Sequence, residues 1–187
     1  MTDPNLIIVS GPPSSGKTSL GRKVAKELKL PFIFKDGIKE MLFNTLGWDD
    51  QKWAEQLNLA TYGILFHFIE AQLQAGLSFV VEGDFKPQEH TEKFKELQRK
   101  YHYEPFQLIC KADDKVLEER FKERAKSGER HPGHHDKENY PKFKEDLKEN
   151  TYEALDIGGQ CLEVDTTDYD KIDYQQIYSL VRQEAAR

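Results

Sequence analysis

Five short apolar runs recur along the chain, separated by segments whose apolar residues repeat at three and four positions. The runs are rich in β-branched and aromatic residues, which favours buried strands. Strands that alternate with helices form a parallel sheet with helices on both faces, so the pattern predicts an α/β fold with a five-stranded parallel sheet. The predicted strands are Leu6–Ser10, Pro31–Lys35, Leu77–Glu82, Phe106–Ala112 and Cys161–Thr166.

The segments between the strands predict amphipathic helices, because their apolar residues recur on one helical face. Phe143, Leu147 and Ala154 define such a face late in the chain, and Ile177 and Val181 define another. The predicted helices are Ser19–Leu28, Ile38–Leu46, Asp50–Ala75, a helix that begins near Pro87, Asp113–Lys126, Tyr140–Leu155 and Tyr169–Ala186.

The longest predicted helix, Asp50–Ala75, is followed by Gly76, a residue typical of helix ends. Its apolar residues suggest one buried stripe. His67 lies beside this stripe and is predicted to be a partly buried, hydrogen-bonded histidine with no catalytic or metal-binding role. The stripe consists of Trp53, Leu57, Ala60, Ile64, Phe68 and Ala71.

The length and charge of the chain limit its domain organisation and its partners. The 187 residues suffice for one α/β domain but not for two, so we expect a single domain over residues 1–187. The net charge is −6, which argues against duplex nucleic acid as a partner because such binding needs a broad basic surface. The sequence leaves open whether the protein is a monomer or a homodimer.

The cysteines and the hydropathy indicate a cellular compartment. Cys110 and Cys161 each lie within an apolar run and form no C-x-x-C pair, which predicts buried thiols in a reducing environment. No apolar stretch approaches the ~18 residues of a membrane span, and the N-terminus lacks a signal-peptide pattern. We therefore expect a cytoplasmic protein with no membrane partner.

The most specific motif is the stretch Gly11–Thr18, which fits the phosphate-binding loop pattern G-x-x-x-x-G-K-[ST]. A predicted strand precedes it and a predicted helix follows, as the motif requires. Glycines in such a loop let backbone N–H groups converge on phosphate oxygens, and the helix N-terminus adds its dipole. The residues predicted to bind the nucleotide are Gly11, Pro12, Pro13, Ser14, Ser15, Gly16, Lys17 and Thr18.

Within this loop, the lysine and the threonine have distinct predicted roles. Lys17 is expected to reach the β and γ phosphates of ATP, and the Thr18 hydroxyl is expected to bind Mg2+. A second ligand on the metal side is predicted at Glu82, because a carboxylate that directly ends an apolar strand can hold Mg2+ through water. Asp84 follows two residues later and is predicted either to cap the helix near Pro87 or to take the metal-side position instead.

The second strand is followed by Asp36, for which two roles stay open. Its carboxylate can cap the helix that follows, or it can act as the base that orients an acceptor hydroxyl. Because ligands of parallel α/β sheets bind beyond the carboxyl ends of the strands, the catalytic role is favoured. The helical region at about residues 37–76 is expected to form the acceptor side.

A basic segment follows the fourth strand. From Arg120 to Lys137 there are six Lys or Arg residues against three Asp or Glu residues, and glycines and a proline break the helix. This predicts a lid at about residues 125–139 whose Arg124 and Arg130 close over transferring phosphates, with Arg120 pointing the same way and contacting the nucleotide. The alternative for His131, His134, His135 and Asp136 is a transition-metal site.

The order of these parts resembles the P-loop kinases of small molecules and nucleotides, in particular the polynucleotide-kinase-like and zeta-toxin-like group of AAA-domain ATP-binding proteins. Asp36 with Lys39 is similar to the Asp-x-x-Arg of polynucleotide kinases, and the segment Val80–Pro87 looks like the Asp-Gly-Phe-Pro-Arg of adenylate kinases. The resemblance implies a three-layer P-loop NTPase fold with a short lid, and ATP and Mg2+ as ligands.

These features predict an ATP-dependent kinase that transfers the γ-phosphoryl group to a hydroxyl of a small molecule, a nucleoside or a nucleic-acid end. Lys17, Asp36, Arg124 and Arg130 are the predicted catalytic residues. The alternative is a nucleotide-binding regulatory or toxin-like protein without small-molecule turnover. A GTPase switch is disfavoured, because the only D-x-x-G, at Asp156, follows a predicted helix and N-K-x-D is absent.

Overall fold

The computed structural model describes residues 3–128, 130–149 and 152–185. Strands and helices alternate along them, as the hydrophobic pattern predicts. In chain order the elements are β1 (Asn5–Ser10), α1 (Lys17–Leu28), β2 (Phe32–Phe34), α2 (Lys35–Leu46), α3 (Gln51–Gln74), β3 (Phe79–Glu82), α4 (Pro87–Tyr101), β4 (Glu104–Lys111), α5 (Asp114–Ser127), α6 (Asp136–Lys148), β5 (Gln160–Asp165) and α7 (Tyr174–Ala185), with 3₁₀ turns at Pro132–His134 and Tyr169–Lys171.

The five strands form one parallel sheet in the order β2-β3-β1-β4-β5, which confirms the predicted fold class. The central strand β1 pairs with β3 on one side and with β4 on the other. Because all strands run the same way, their carboxyl ends meet at one edge of the sheet. That edge is where ligands bind in this class of fold.

Two apolar layers cover the sheet, one on each face. Side chains of β1 alternate between them, since successive residues of a strand point to opposite faces. Leu6 and Ile8 pack against α3 and α4, whereas Ile7 and Val9 pack against α1 and α7. The sheet is therefore the middle of three layers.

The buried face of α3 differs from the predicted stripe. Of the predicted residues, Leu57 is buried, Phe68 is partly buried, and Trp53, Ala60, Ile64 and Ala71 are exposed. The helix is apolar on nearly all sides, so two overlapping stripes fit its sequence, and periodicity alone does not distinguish them. His67 is exposed, and the prediction of a partly buried histidine was wrong. The buried residues are Ala54, Leu57, Thr61, Leu65, Ile69 and Leu73.

Several predicted helix boundaries also need correction. The helix α2 starts at Lys35 rather than Ile38, and α6 covers Asp136–Lys148 rather than Tyr140–Leu155. A 3₁₀ turn, in which the Asp168 carboxylate accepts from the Asp170 N–H, delays the last helix to Tyr174. The predicted end of that helix, Ala186, lies outside the described residues.

The two thiols differ in burial. Cys110 lies on β4 inside the sheet and is buried, as predicted, whereas Cys161 is exposed. The difference arises because β5 is the edge strand and part of its surface faces solvent. Separately, none of the described helices combines the length and the apolar character needed to cross a membrane.

The corrected orientation of α3 predicts unequal effects of one substitution at two sites. Leu65 is 0% exposed and Leu59 is 74% exposed on the same helix. We expect Leu65→Ala to lower the free energy of unfolding by about 2–5 kcal/mol, because it leaves a cavity. The matched control Leu59→Ala should change it by less than about 0.5 kcal/mol. Urea unfolding measures both, and equal losses would contradict the assigned face.

Candidate active site

The loop Gly11–Thr18 connects β1 to α1 at the carboxyl edge of the sheet. Its backbone takes positive φ angles at Gly11 (141°), Ser14 (66°) and Gly16 (82°). A Cβ at Gly11 would lie 2.5 Å from the Cys110 carbonyl oxygen, so this position requires glycine. Gly16 is the N-cap of α1 and supplies no side-chain cap, and the first turn carries no acidic residue. The first N–H groups of α1 thus remain available to an anion.

Two serine hydroxyls of the loop support the same interpretation. Ser15 is fully buried, and the hydroxyl oxygens of Ser14 and Ser15 are inaccessible yet make no hydrogen bond within the described part of the chain. Buried polar atoms in proteins are normally hydrogen-bonded, and exceptions point to a missing partner. A phosphate cradled by the loop would supply acceptor oxygens for them.

A partly buried carboxylate links the loop to α2. Asp84, just beyond β3, contacts Lys17 Nζ with Oδ1 at 2.9 Å and Lys35 Nζ with Oδ2 at 2.6 Å. Burial alone would raise the pKa of Asp84, but the charges of Lys17 and Lys35 hold it well below its usual range. The helix-capping role predicted for Asp84 was wrong, because the N-cap of α4 is Lys86.

The last residue of β3, Glu82, lies beside the start of α1. The Thr18 hydroxyl donates to Glu82 Oε2 at 2.6 Å. Burial raises the pKa of Glu82 to about 7, although the Lys17 charge opposes the shift. Thr18 and Glu82 together present hard oxygen donors beside the loop, which fit Mg2+. Of Glu82 and Asp84, it is Glu82 that contacts the Thr18 hydroxyl.

Asp36 is the second residue of α2, and the N-cap of that helix is Phe34. The N-cap alternative for Asp36 is therefore wrong. Its Oδ2 contacts Arg130 Nη2 at 2.9 Å, and its Oδ1 lies 3.9 Å from Lys35 Nζ. Burial would raise the pKa of Asp36, but Arg130 and Lys35 hold it well below its usual range. The side chain is therefore an ionised carboxylate. It lies directly beside the group formed by Asp84, Lys17 and Lys35, which we call the Asp84 cluster.

The arginines after β4 have two separate sets of partners. Arg124 Nε and Arg130 Nε approach the Asp136 Oδ2 atom at 3.4 and 3.2 Å. Arg120, one turn before Arg124, points elsewhere and donates to the carbonyl oxygens of Thr166 and Thr167 at 2.9 Å. The expectation that Arg120 and Arg124 point the same way was wrong.

Arg120 instead forms part of a platform at the far end of the loop. Its guanidinium carbon lies 4.0 Å from the centroid of the Tyr169 ring. The same ring packs on Gly16, where a Cβ would lie 2.6 Å from a ring atom. Tyr169 thus connects the phosphate loop to the residues after β5. Nothing in the sequence motif indicates this contact.

The histidine-rich segment packs on α2 and on the residues that follow it. His131 stacks on Phe43 with ring centroids 5.1 Å apart, and His135 Nε2 donates to the Trp48 carbonyl oxygen at 3.3 Å. His134 contacts Glu40 and Arg130. Within residues 3–128, 130–149 and 152–185, no group of three or more His, Cys, Asp or Glu side chains is arranged to hold a metal ion. The histidines act in packing and hydrogen bonding.

Between this segment and α3 lies a cleft of about 540 Å³. Asp36 and Asp84 line it, together with Pro13 of the phosphate loop. Much of the remaining lining is polar and carries both hydrogen-bond donors and acceptors. These polar residues include Lys39, Glu55, Asn58, Tyr62, Lys86, Glu89, Asn139 and Lys142.

Sequence reasoning missed three residues of this site. The hydrophobic pattern places Lys35 at the end of a strand, directly before Asp36. In the structure α2 begins at Lys35, and its side chain turns into the site. Glu40 lies one helical turn after Asp36, a spacing that places both on one face. Tyr62 donates to the Asp84 carbonyl oxygen at 3.3 Å, a long-range contact with no local sequence signal.

Comparisons with known proteins agree with this architecture. A family profile described as AAA domain matches residues 6–149. A protein of known structure from Chloroflexus aurantiacus J-10-fl, provisionally described as a kinase, is 34% identical, with a TM-score of 0.87 and coverage of 100% of this chain and 98% of its own. A search of curated proteins finds no match.

Two more distant structures share the fold alone. A gluconokinase from Sinorhizobium meliloti 1021 is 20% identical, with a TM-score of 0.58 and coverage of 100% of this chain and 97% of its own. Kti12 of Chaetomium thermophilum, solved with ADP-AlF3, is 14% identical, with a TM-score of 0.66 and coverage of 96% of this chain and 98% of its own.

The raised pKa of Glu82 predicts a pH-dependent stability. The carboxyl ionises near 4.5 in the unfolded chain and near 7 in the fold, so its contribution is complete below pH 4.5 and is lost as pH rises to about 7. Across this window the stability of wild type relative to Glu82→Gln should fall by about 3 kcal/mol. Urea unfolding in EDTA at several pH values measures the difference. A difference that does not vary with pH would contradict the buried, protonated state.

Proposed function

The chain belongs to the AAA domain family, and on that basis we propose that it is an ATP-dependent kinase that phosphorylates a hydroxyl group of an acceptor. One observation carries the proposal: Asp84 bridges Lys17 of the phosphate loop and Lys35, the neighbour of Asp36. Asp36, the proposed acceptor-side carboxylate, is thereby brought close to Lys17, which would bind the transferred phosphate. A protein that only binds nucleotide has no need of that juxtaposition.

In this proposal the loop binds the triphosphate of ATP. Its N–H groups and the N-terminus of α1 surround the phosphates, and Lys17 exchanges Asp84 for phosphate oxygens. Thr18 and Glu82 would hold Mg2+, which supplies positive charge to the phosphate oxygens when bound. Because Glu82 is half protonated near pH 7, a cation beside it would favour its ionised form.

The lid arginines would stabilise the charge on the transferring group. Arg124 and Arg130 line the cleft within 3.4 Å of the Asp136 carboxylate but make no hydrogen bond to it through Nε, so Asp136 leaves them free to move onto a phosphate. Arginines of this kind are worth roughly 10³- to 10⁵-fold in rate in phosphoryl transfer. We assign the lid to about residues 125–139.

Asp36 would orient the acceptor hydroxyl and accept its proton. Its low pKa suits a loose transition state, in which the proton leaves late and a strong base is unnecessary. The cleft between about residues 37–76 and the lid would hold the remainder of the acceptor. Its size suits a small molecule, a nucleoside or a nucleic-acid end.

Arg120 and Tyr169 would line the base end of the nucleotide site. Tyr169 covers Gly16 at the start of α1, and the planar Arg120 guanidinium stacks on that ring. Flat groups of this kind suit contact with a heterocyclic base.

The alternative is a nucleotide-binding regulatory protein without small-molecule turnover. It is favoured by one observation, that Arg130 pairs with Asp36 and thereby covers the carboxylate that an acceptor needs. Kinase activity requires this pair to open. The two proposals differ in whether an acceptor stimulates turnover.

The first test concerns nucleotide binding. Lys17→Ala removes a charge-assisted phosphate contact and should weaken the binding of ATP with Mg2+ by about 10- to 100-fold in isothermal titration. Lys26→Ala on the exposed face of the same helix is the matched control and should bind like wild type. Equal affinities of Lys17→Ala and wild type would overturn the assignment of the loop.

The second test concerns transfer. Labelled ATP is incubated with pools of metabolites, and we expect at least one pool to yield a phosphorylated product with wild type. Asp36→Asn should lower that rate by about 10²- to 10⁴-fold, because it removes the proton acceptor while preserving shape. The exposed Asp49→Asn serves as control. Slow hydrolysis that no metabolite stimulates and that Asp36→Asn leaves unchanged would favour the regulatory alternative.

A further inference from the structure

Four side chains form a continuous series of polar contacts from α2 to the lid and back to α2. Glu40 Oε1 lies 2.9 Å from His134 Nε2, and His134 Nδ1 lies 3.1 Å from Arg130 Nη2. The same Nη2 atom lies 2.9 Å from Asp36 Oδ2. We call Glu40, His134, Arg130 and Asp36 the histidine latch.

The chemistry of the partners determines the protonation of His134. A guanidinium has only donors, so the Nδ1 atom of His134 must accept a hydrogen bond from Arg130. The proton of a neutral ring then resides on Nε2, which donates it to the Glu40 carboxylate. Protonation of Nδ1 would remove the acceptor and place two cations in contact.

The surroundings of His134 favour this neutral form. Burial lowers the pKa of His134 to about 3, and the charges of Arg130, Lys39 and Lys35 add to the effect while Asp36 opposes it. Glu40 faces Nε2, and the edge of the Phe43 ring lies against the imidazole at a centroid distance of 5.4 Å. His134 therefore keeps its acceptor nitrogen throughout the neutral pH range.

The backbone fixes the position of the ring as well. His134 ends the 3₁₀ turn Pro132–His134, in which the Gly133 N–H donates to His131 Nδ1 at 3.0 Å. Gly133 packs so closely that a Cβ would lie 2.8 Å from atoms of Phe43 and Trp48. The turn cannot move without disturbing this packing, so His134 is a fixed point for Arg130.

We propose that His134 and Glu40 are positioning residues that aim the Arg130 guanidinium into the cleft beside Asp36. Arg130 also lines a second cavity of about 330 Å³ on the side of Trp48 and Gly128, so the side chain has space to turn away. The contact with His134 selects the orientation that faces the cleft. The effect of this orientation on phosphate binding rests on the proposed kinase function. The contacts among the four side chains can be tested without it.

The first experiment observes the latch directly. Long-range ¹H–¹⁵N spectra of histidine-labelled protein distinguish the two neutral tautomers, and His134→Gln assigns the signal. We expect the Nε2–H tautomer for His134 with no titration between pH 8 and pH 4.5. Titration near pH 6.5, or the Nδ1–H tautomer, would overturn the inference whatever activity the protein has.

The second experiment measures the effect on Arg130 through the γ phosphate. Isothermal titration compares ATP and ADP, each with Mg2+, because Arg130 is expected to contact only the longer ligand. His134→Gln and Glu40→Ala should reduce the preference for ATP by about 3- to 30-fold and leave the affinity for ADP unchanged. Glu40→Gln, which keeps an oxygen to accept the Nε2 proton, should restore the preference.

Glu40 is 39% exposed on its side chain, so its variants are expected to fold even if His134→Gln does not. If Glu40→Ala shows the wild-type preference for ATP over ADP, the positioning role is overturned. The role would also be contradicted if Glu40→Gln lost as much of the preference for ATP as Glu40→Ala. The contact would then be a charge pair between Glu40 and a protonated His134. Failure of wild type to bind ATP would count against the proposed function, while the spectra would still decide the latch.

Discussion

The candidate site depends on one partly buried carboxylate. Asp84 contacts Lys17 and Lys35 within 3 Å, and both lysine side chains are about nine-tenths buried. Two ammonium groups in that environment are stable only beside an anion, because loss of one partner of a buried pair commonly costs about 3–5 kcal/mol. The attraction draws the start of α1 and the start of α2 to the same point. Asp36, the next residue after Lys35, is thereby held beside the phosphate loop.

The end of β3 brings together two carboxylates whose pKa values are shifted in opposite directions. Glu82 is buried beside the Thr18 hydroxyl, and burial raises its pKa to about 7, whereas the two lysines keep Asp84 ionised. The residue that we propose as a metal ligand and a charged structural bridge thus lie two positions apart. Pairs of acidic groups whose environments separate their pKa values are typical of catalytic sites. The stability lost by burying Glu82 suits a residue retained for function rather than for folding.

Sequence reasoning predicted the fold and the phosphate loop because both depend on local patterns. The strand runs, the spacing of glycines around Lys17 and the position of Glu82 at the end of β3 are readable from neighbouring residues. The buried face of α3 could not be predicted in this way, because the exposed Trp53 and Ile64 are as apolar as the residues that are buried. Asp84 pairs with Lys35, which lies 49 residues before it, and His134 contacts Glu40, which lies 94 residues before it; no local spacing records such pairs.

The central claim is that the Asp84 cluster holds Lys17 ready to exchange a carboxylate for phosphate. A crystal structure of the protein with Mg2+ and a non-hydrolysable ATP analogue tests it most directly. We predict that Lys17 Nζ leaves Asp84 for the β and γ phosphates, that Lys35 retains its contact with Asp84, and that Thr18 coordinates the metal beside Glu82. A complex in which the triphosphate binds away from Gly11–Thr18, or in which Lys17 remains on Asp84, would contradict the claim.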